Sequence, residues 1–388
     1  MRILVNGYFY GGNCPPFVHA LKKLNPETKL TDALGVLDEH GVNREFLEAD
    51  DIMRVKLNFV ERAVVKMAKK ARLPFWKPIL IRKAKKLVAA YQPDIIINHK
   101  AAVKAEVMLK TGFRPQLTLI YGGEIHGERI RRKGLDYIFA ASSKILMTTE
   151  QLRLRFLDER KYLQDKLMVL PMGNFDLDII LNNRKDKSKA AVRRQYGFAG
   201  QETIIFENRC LRAANAGLDA IIDALQILAD KSLAVKMVLL RGFLGTDQMV
   251  RKLKGIMENN PQIAGQIVLI DDIISSAQIL DYYFMADGFV SLLRADQCGK
   301  SISDALFSGC SLILSDLEAY KSRFGAGPCY IRDQDPVQLA DAFKNLIKGD
   351  RYEVGADVYA HLLQLAQPGK RFETIYSFIK EVISKEIK

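Results

Sequence analysis

The chain has 388 residues, with 58 Lys and Arg against 45 Asp and Glu for a formal charge of +13, and 48% of it is apolar. That length suits two domains, and the mix of apolar and charged residues is that of an ordinary soluble protein, which excludes fibrous and disordered classes. No apolar run approaches bilayer length, Met1-Arg-Ile-Leu-Val-Asn6 enters a strand and not a secretion signal, and the scattered Cys14, Cys210, Cys298, Cys310 and Cys329 show no zinc or redox spacing. A reduced cytoplasmic setting is therefore expected.

Residues 3 to 6 read as a first strand, followed by a turn-rich loop from Gly7 to Pro16 and a helix from Phe17. Gly11-Gly12 lets the backbone approach a ligand closely, although the dinucleotide fingerprint is absent. The basic excess is concentrated next. Arg54, Lys56, Arg62, Lys66, Lys69, Lys70, Arg72, Lys77, Arg82, Lys83, Lys85 and Lys86 are opposed only by Glu61. Val55, Phe59, Ala63, Val64, Met67 and Ala68 fall at helical spacing within this segment, which predicts an amphipathic helix with a cationic face. One reading of Arg54–Lys86 is a solvated face. The other is docking on an anionic membrane surface, with Phe75 and Trp76 at the headgroup level, which would place the protein at the inner face of the membrane. Arg129, Arg131, Arg132 and Lys133 form a smaller basic cluster.

Short apolar runs at Ile95–Asn98, Leu117–Ile120, Lys144–Met147 and Leu167–Leu170, with helices between them, predict a parallel sheet with crossover helices. Tyr121-Gly-Gly-Glu-Ile-His126 directly follows one of these strands, where parallel sheets bind ligands, so Glu124 and His126 are candidate site residues. Residues 1–174 are expected to form the first domain and the polar stretch 175–200 a linker. The pattern then restarts over 201–367, with strands at Thr203–Phe206, Val235–Leu240, Ile267–Ile270 and Phe289–Leu293. Asp176-Leu-Asp178 and Asp333-Gln-Asp335 do not follow strand ends, so no metal is expected. Phe372, Ile375, Tyr376, Ile379, Val382 and Ile383 predict an amphipathic helix at the end of the chain.

The most informative stretch is Asp296-Gln-Cys-Gly-Lys-Ser-Ile-Ser-Asp304-Ala-Leu-Phe-Ser-Gly309, between the strands ending at Leu293 and Ser315. Ile302, Ala305 and Leu306 predict a helix that Gly309 stops, so Gly299, Lys300 and Ser301 sit where a strand hands over to a helix N-terminus, a ready anion site. A nucleotide-triphosphate loop is excluded, because Arg294 stands where its first glycine is required.

Two acids separated by seven residues, before a small-residue helix, a glycine and a strand, resemble the signature of retaining glycosyltransferases of family 4. Here both acids are aspartate where the family usually has glutamate, Cys298-Gly299 replaces Phe-Gly, and Ser311 replaces a proline. Glu207-Asn-Arg-Cys-Leu-Arg212, followed by Gly217, is similar to the family's diphosphate-gripping Gly-Arg-Leu…Lys-Gly segment. Arg209 matches the arginine, Ala216 stands where the lysine belongs, and Arg212 is the candidate for the second charge. Pro171-Met-Gly-Asn174 resembles the family's domain junction.

The resemblance implies two facing, Rossmann-like, doubly wound α/β domains of the GT-B architecture, with the last helix (368–388) crossing back to the first. It implies transfer of a sugar from a nucleotide-sugar donor to a glycan or lipid-linked acceptor, with retention and without metal or other cofactor. Arg209, Arg212, Gly299, Lys300 and Ser301 would hold the diphosphate, Asp304 the ribose and Asp296 the donor sugar. Gly12 would approach the donor, and Glu124 or His126 the sugar. The positive charge suits an acceptor on a lipid carrier, a lipopolysaccharide core or another anionic glycan; no nucleic-acid module is visible. The alternatives are a sugar-nucleotide epimerase of the same fold and a non-catalytic binding protein.

Overall fold

The computed structural model describes residues 1–7, 14–33, 48–71, 76–120, 133–169, 177–212, 216–242, 245–294, 296 and 299–386. Gly12, Glu124, His126 and Phe75 lie outside the described residues. The chain divides into two compact units, Met1–Phe175 with Pro368–Lys388, and Asp176–Gln367.

The strands of the first unit are β1 (Ile3–Asn6), β2 (Lys29–Asp32), β3 (Ile52–Arg54), β4 (Ile95–Asn98), β5 (Gln116–Ile120), β6 (Lys144–Met147) and β7 (Leu167–Val169). Among the described residues they form one sheet of order β3-β2-β1-β4-β5-β6-β7, parallel throughout. Ile3 and Val5 bury on one face with Phe17, while Leu4 packs on the other with Val88. Both faces are covered, which is why these strands read as unbroken apolar runs. The last helix, Pro368–Glu386, places Phe372, Ile375, Ile379 and Val382 against Phe17 and Leu21 of this unit.

The second unit contains β8 (Ile204–Glu207), β9 (Lys236–Leu240), β10 (Ile267–Ile270), β11 (Gly288–Ser291), β12 (Ser311–Ser315) and β13 (Cys329–Ile331), all parallel in the order β10-β9-β8-β11-β12-β13. Ile205 packs on one face and Ile204 and Phe206 on the other. The fold class is that expected from the alternation of strands and helices.

Two expectations need correction. The stretch read as a linker holds two helices, Leu177–Asp186 and Lys189–Gln195. Leu177, Ile180, Val192 and Phe198 bury in the core of the second unit, and Arg193 ion-pairs with Asp287 at 2.6 Å. The polar composition is that of their outward faces. Trp76 does not stand at a headgroup level: it is 8% exposed and packs with Leu80 and Ala84. Its helix, Trp76–Tyr91, buries Trp76, Leu80, Ala84 and Leu87 at three- and four-residue spacing, and the cations project from the remaining positions.

His99, just after β4, lies against Phe17 with ring centroids 5.2 Å apart. Burial, with Lys100 adding to it, pushes the imidazole down to about 3 from its usual 6.5. Between those values the unfolded chain holds a proton that the folded chain lacks, so this group lowers stability as the pH falls, by about 1.4 kcal/mol per pH unit at most. The thermal midpoint is expected to drop more steeply from pH 7 to pH 5 in the wild type than in His99→Gln; equal slopes would contradict this.

Candidate functional site

From β8 the chain runs outward through β9 and β10, then returns to the other side of β8 as β11. Strand order therefore reverses between β8 and β11, and open parallel sheets bind ligands off their carboxyl ends at such a reversal. The segments leaving these two strands, 207–212 and 292–304, carry the residues that the sequence singles out in this unit.

Glu207, 1% exposed, shapes the first segment. Its carboxylate accepts the Arg209 N–H at 2.8 Å and the Cys210 N–H at 2.6 Å. Burial raises its pKa in spite of those bonds. The turn aims Arg209 at the loop beyond β11, where it meets Asp296 through two hydrogen bonds, Nη1 to Oδ2 at 2.7 Å and Nη2 to Oδ1 at 3.0 Å. Oδ2 of Asp296 also accepts the Tyr320 hydroxyl at 2.9 Å and the Gly299 N–H at 3.2 Å. The Arg209 and Asp296 side chains are only 13% and 12% exposed. Burial alone would raise the Asp296 carboxyl; the Arg209 charge and these donors outweigh it and hold the carboxyl below the usual range. Burial and the neighbouring Asp296 both push the Tyr320 hydroxyl up, so it stays a donor.

Gly299 caps the helix Lys300–Ser308, and a Cβ on it would come within 3.0 Å of Arg209 Nη2. The missing side chain is what lets the guanidinium lie against the helix start. Lys300 and Ser301 are the first two helical residues, so their N–H groups lie at the positive end of the helix dipole. Lys300 pairs with Asp304 one turn later, at 2.7 Å, and Asp304 is 4% exposed. Gly309 ends the helix in the left-handed region, φ 89°.

Arg212 differs from Arg209. Its side chain makes no hydrogen bond or ion pair with any described residue, and its Nε is buried without a partner. Burial, then repulsion from Arg209, lowers its pKa. Asn208 donates to the Tyr283 hydroxyl at 2.7 Å, while its own Oδ1 is buried without a partner. A buried donor and a buried acceptor thus stand unmatched at one strand end. Gly217, φ +91°, opens the next helix; a Cβ there would lie 2.5 Å from Leu292, so the close packing of the two strand-end segments needs glycine.

The structure thus brings Arg209, Asp296 and Gly299 together, with Arg212 beside Arg209 and Lys300, Ser301 and Asp304 on the adjoining helix. Sequence reasoning missed Tyr320 and the capping role of Glu207. Tyr320 follows β12, itself a strand end, and that position was its only signal. In the second Asp-x-Asp triplet, Asp335 Oδ1 caps the helix Pro336–Ile347 by accepting from Val337 and Gln338. Among the described residues no group of three or more His, Cys, Asp or Glu side chains is placed to hold a metal.

No protein-family model matches the sequence, and a comparison with curated proteins finds no match. Solved structures do match over the whole chain. The Anabaena protein HepE, in complex with UDP and glucose, superposes with a TM-score of 0.73 at 14% identity, covering 98% of this chain and 99% of that one. The chain has the GT-B fold. A UDP-forming α,α-trehalose-phosphate synthase from Burkholderia xenovorans gives 0.71 at 13% identity over 98% and 99% of the two chains. A glycosyltransferase from Rickettsia africae gives 0.69 at 13% identity over 98% of each. In GT-B terms, the β8–β11 reversal belongs to the second of two parallel-sheet units.

The two arginines have opposite consequences for the ligand-free protein. Arg209→Met leaves Asp296 buried without its counter-ion, which costs about 3–5 kcal/mol, whereas Arg212→Met removes a buried cation that makes no ion pair and is neutral or stabilising. Thermal unfolding should show the midpoint falling in the first variant and holding or rising in the second; a fall in both would mean that Arg212 has a partner in the protein.

Proposed function

We propose that the protein is a glycosyltransferase, similar to family 4, that transfers a sugar from a UDP-sugar donor with retention and without a metal ion. The observation that carries this reading is Arg212, a largely buried guanidinium whose Nε has no hydrogen-bond partner, beside Arg209, which itself lies against Gly299 at the start of the helix Lys300–Ser308. A buried cation with no carboxylate in ion-pair contact is costly, and an anionic ligand offsets that cost. The HepE structures hold UDP or UDP-glucose, which supports a UDP-sugar as the donor to test first.

In the proposed reaction the bond from the sugar C1 to the diphosphate oxygen breaks, a bond from C1 to an acceptor hydroxyl oxygen forms, UDP leaves with the electron pair, and the acceptor proton is released. Charge develops on the leaving phosphate, and Arg212, Arg209, Lys300 and the Lys300 and Ser301 N–H groups are the donors that stabilise it. Asp304, bonded to Lys300 on the same helix, is the residue proposed to meet the ribose hydroxyls. Asp296 Oδ2 is engaged by Arg209, Tyr320 and Gly299 and its Oδ1 by Arg209 alone, so it sets the Arg209 guanidinium in place and keeps an Oδ1 lone pair for a hydroxyl of the donor sugar. The acceptor is proposed to be a lipid-linked or anionic glycan, because the chain carries a net charge of +13. The direct pairing of Asp296 with Arg209 also favours a second reading, a nucleotide-sugar-binding protein without transfer.

With UDP-sugars and a panel of lipid-linked and anionic glycans, the wild type should release UDP and form a glycosylated product equally well with and without a chelator. Arg209→Ala and Arg212→Ala should each lower kcat/KM roughly 10- to 100-fold, from about 1.5–3 kcal/mol per charge-assisted contact. UDP binding with no product from any donor and acceptor would favour the binding protein; loss of activity on chelation, restored by magnesium or manganese, would contradict the cationic mechanism.

A further inference from the structure

The helix Phe59–Lys70 in the first unit does not bury the face that its apolar pattern predicts. Val65 and Ala68 point into the core, whereas Phe59, Val60 and Met67 are 86%, 67% and 64% exposed. At about 100° per residue, the exposed Arg62, Lys66, Phe59, Lys70, Met67 and Val60 follow one another around an outward arc of roughly 160°. Arg62 and Lys66 hold one flank, Met67 and Val60 the other, and Phe59 and Lys70 stand between. Elsewhere exposed large apolar residues are scattered; here three share one face of one short helix. Clustered apolar exposure of this kind marks an interaction site.

The charge on this arc is uncompensated. Glu61, the only acid on the helix, turns to the neighbouring helix Trp76–Tyr91, where it pairs with Arg82 and Lys83, both at 2.8 Å. Arg62, Lys66 and Lys70 make no ion pair among the described residues. An occupant must therefore offer apolar depth and negative charge side by side along the length of a twelve-residue helix. A soluble polyanion supplies the charge only. A lipid surface supplies both, with phosphates at the level of the cations and acyl chains beneath Phe59, Val60 and Met67. We propose that this helix lies in the plane of an anionic membrane surface, anchored by Phe59, Val60 and Met67 and held by Arg62, Lys66 and Lys70. The inference does not depend on the glycosyltransferase reading.

The test is co-sedimentation of the full chain with vesicles of phosphatidylcholine alone or mixed equally with phosphatidylglycerol. The wild type should bind the mixed vesicles and not the neutral ones. Arg62→Glu/Lys66→Glu/Lys70→Glu should abolish binding. Phe59→Ser/Val60→Ser/Met67→Ser, with all charges kept, should weaken it about tenfold or more, given the apolar area withdrawn. The single tryptophan, Trp76, is buried, so its unchanged emission checks that each variant folds. In Phe59→Trp, lipids brominated on the acyl chain should quench the added emission. The proposal is overturned if the wild type ignores mixed vesicles, if the serine variant binds as well as the wild type, if the new tryptophan is not quenched, or if an acidic polypeptide or RNA is bound while both vesicles are refused.

Discussion

The contact on which the site in the second unit depends is the two-bonded pair between Arg209 and Asp296. It ties the segment after β8 to the segment after β11, across the point where strand order reverses. Tyr320 from beyond β12 and the Gly299 N–H meet the same carboxylate, so three strand ends and one helix start converge on a single buried group. The pair is buried enough that losing either member is costly, and that fixes Arg209 in direction before any ligand arrives. Preorganised charge of this kind stabilises a leaving phosphate with little rearrangement of the protein.

Arg212 makes the second half of the argument. The fold satisfies Arg209 with an acid in direct contact and leaves Arg212, three residues later, with burial, repulsion from Arg209 and only the longer-range pull of Glu207 and Asp296. Natural proteins retain such an arrangement where function needs it and stability does not. Asn208 Oδ1 shows the same incompleteness in a neutral group. Of these two unmatched atoms only the donor, Arg212 Nε, suits an anion, and the proposed phosphate site rests on it; Asn208 Oδ1 suits a hydroxyl.

Much of this was legible in the sequence. Strands buried on both faces become apolar runs, so β4, β5, β11 and β12 stand out, and Gly309 marks the helix end because only the left-handed backbone fits there. The edge-ward strands β2, β3 and β13 were missed: Lys29–Asp32 and Ile52–Arg54 mix charged with apolar residues, and Cys329–Ile331 is three residues long. The Arg209–Asp296 pair was not legible, although both residues were. They lie 87 positions apart, and only the sheet's reversal brings them together. Trp76 and Phe59 were misplaced for one reason: in a helix whose polar positions are nearly all basic, apolar spacing leaves the inward face ambiguous, and packing against Leu80 and Val65 decides it.

The most direct test of the central claim compares the affinities of UDP and UMP by calorimetry, in the wild type and in Arg212→Ala. If Arg212 is matched by the second phosphate, the wild type binds UDP at least tenfold more tightly than UMP, and the variant brings that ratio close to one while leaving UMP affinity little changed. A ratio unaffected by removing Arg212 would contradict the account.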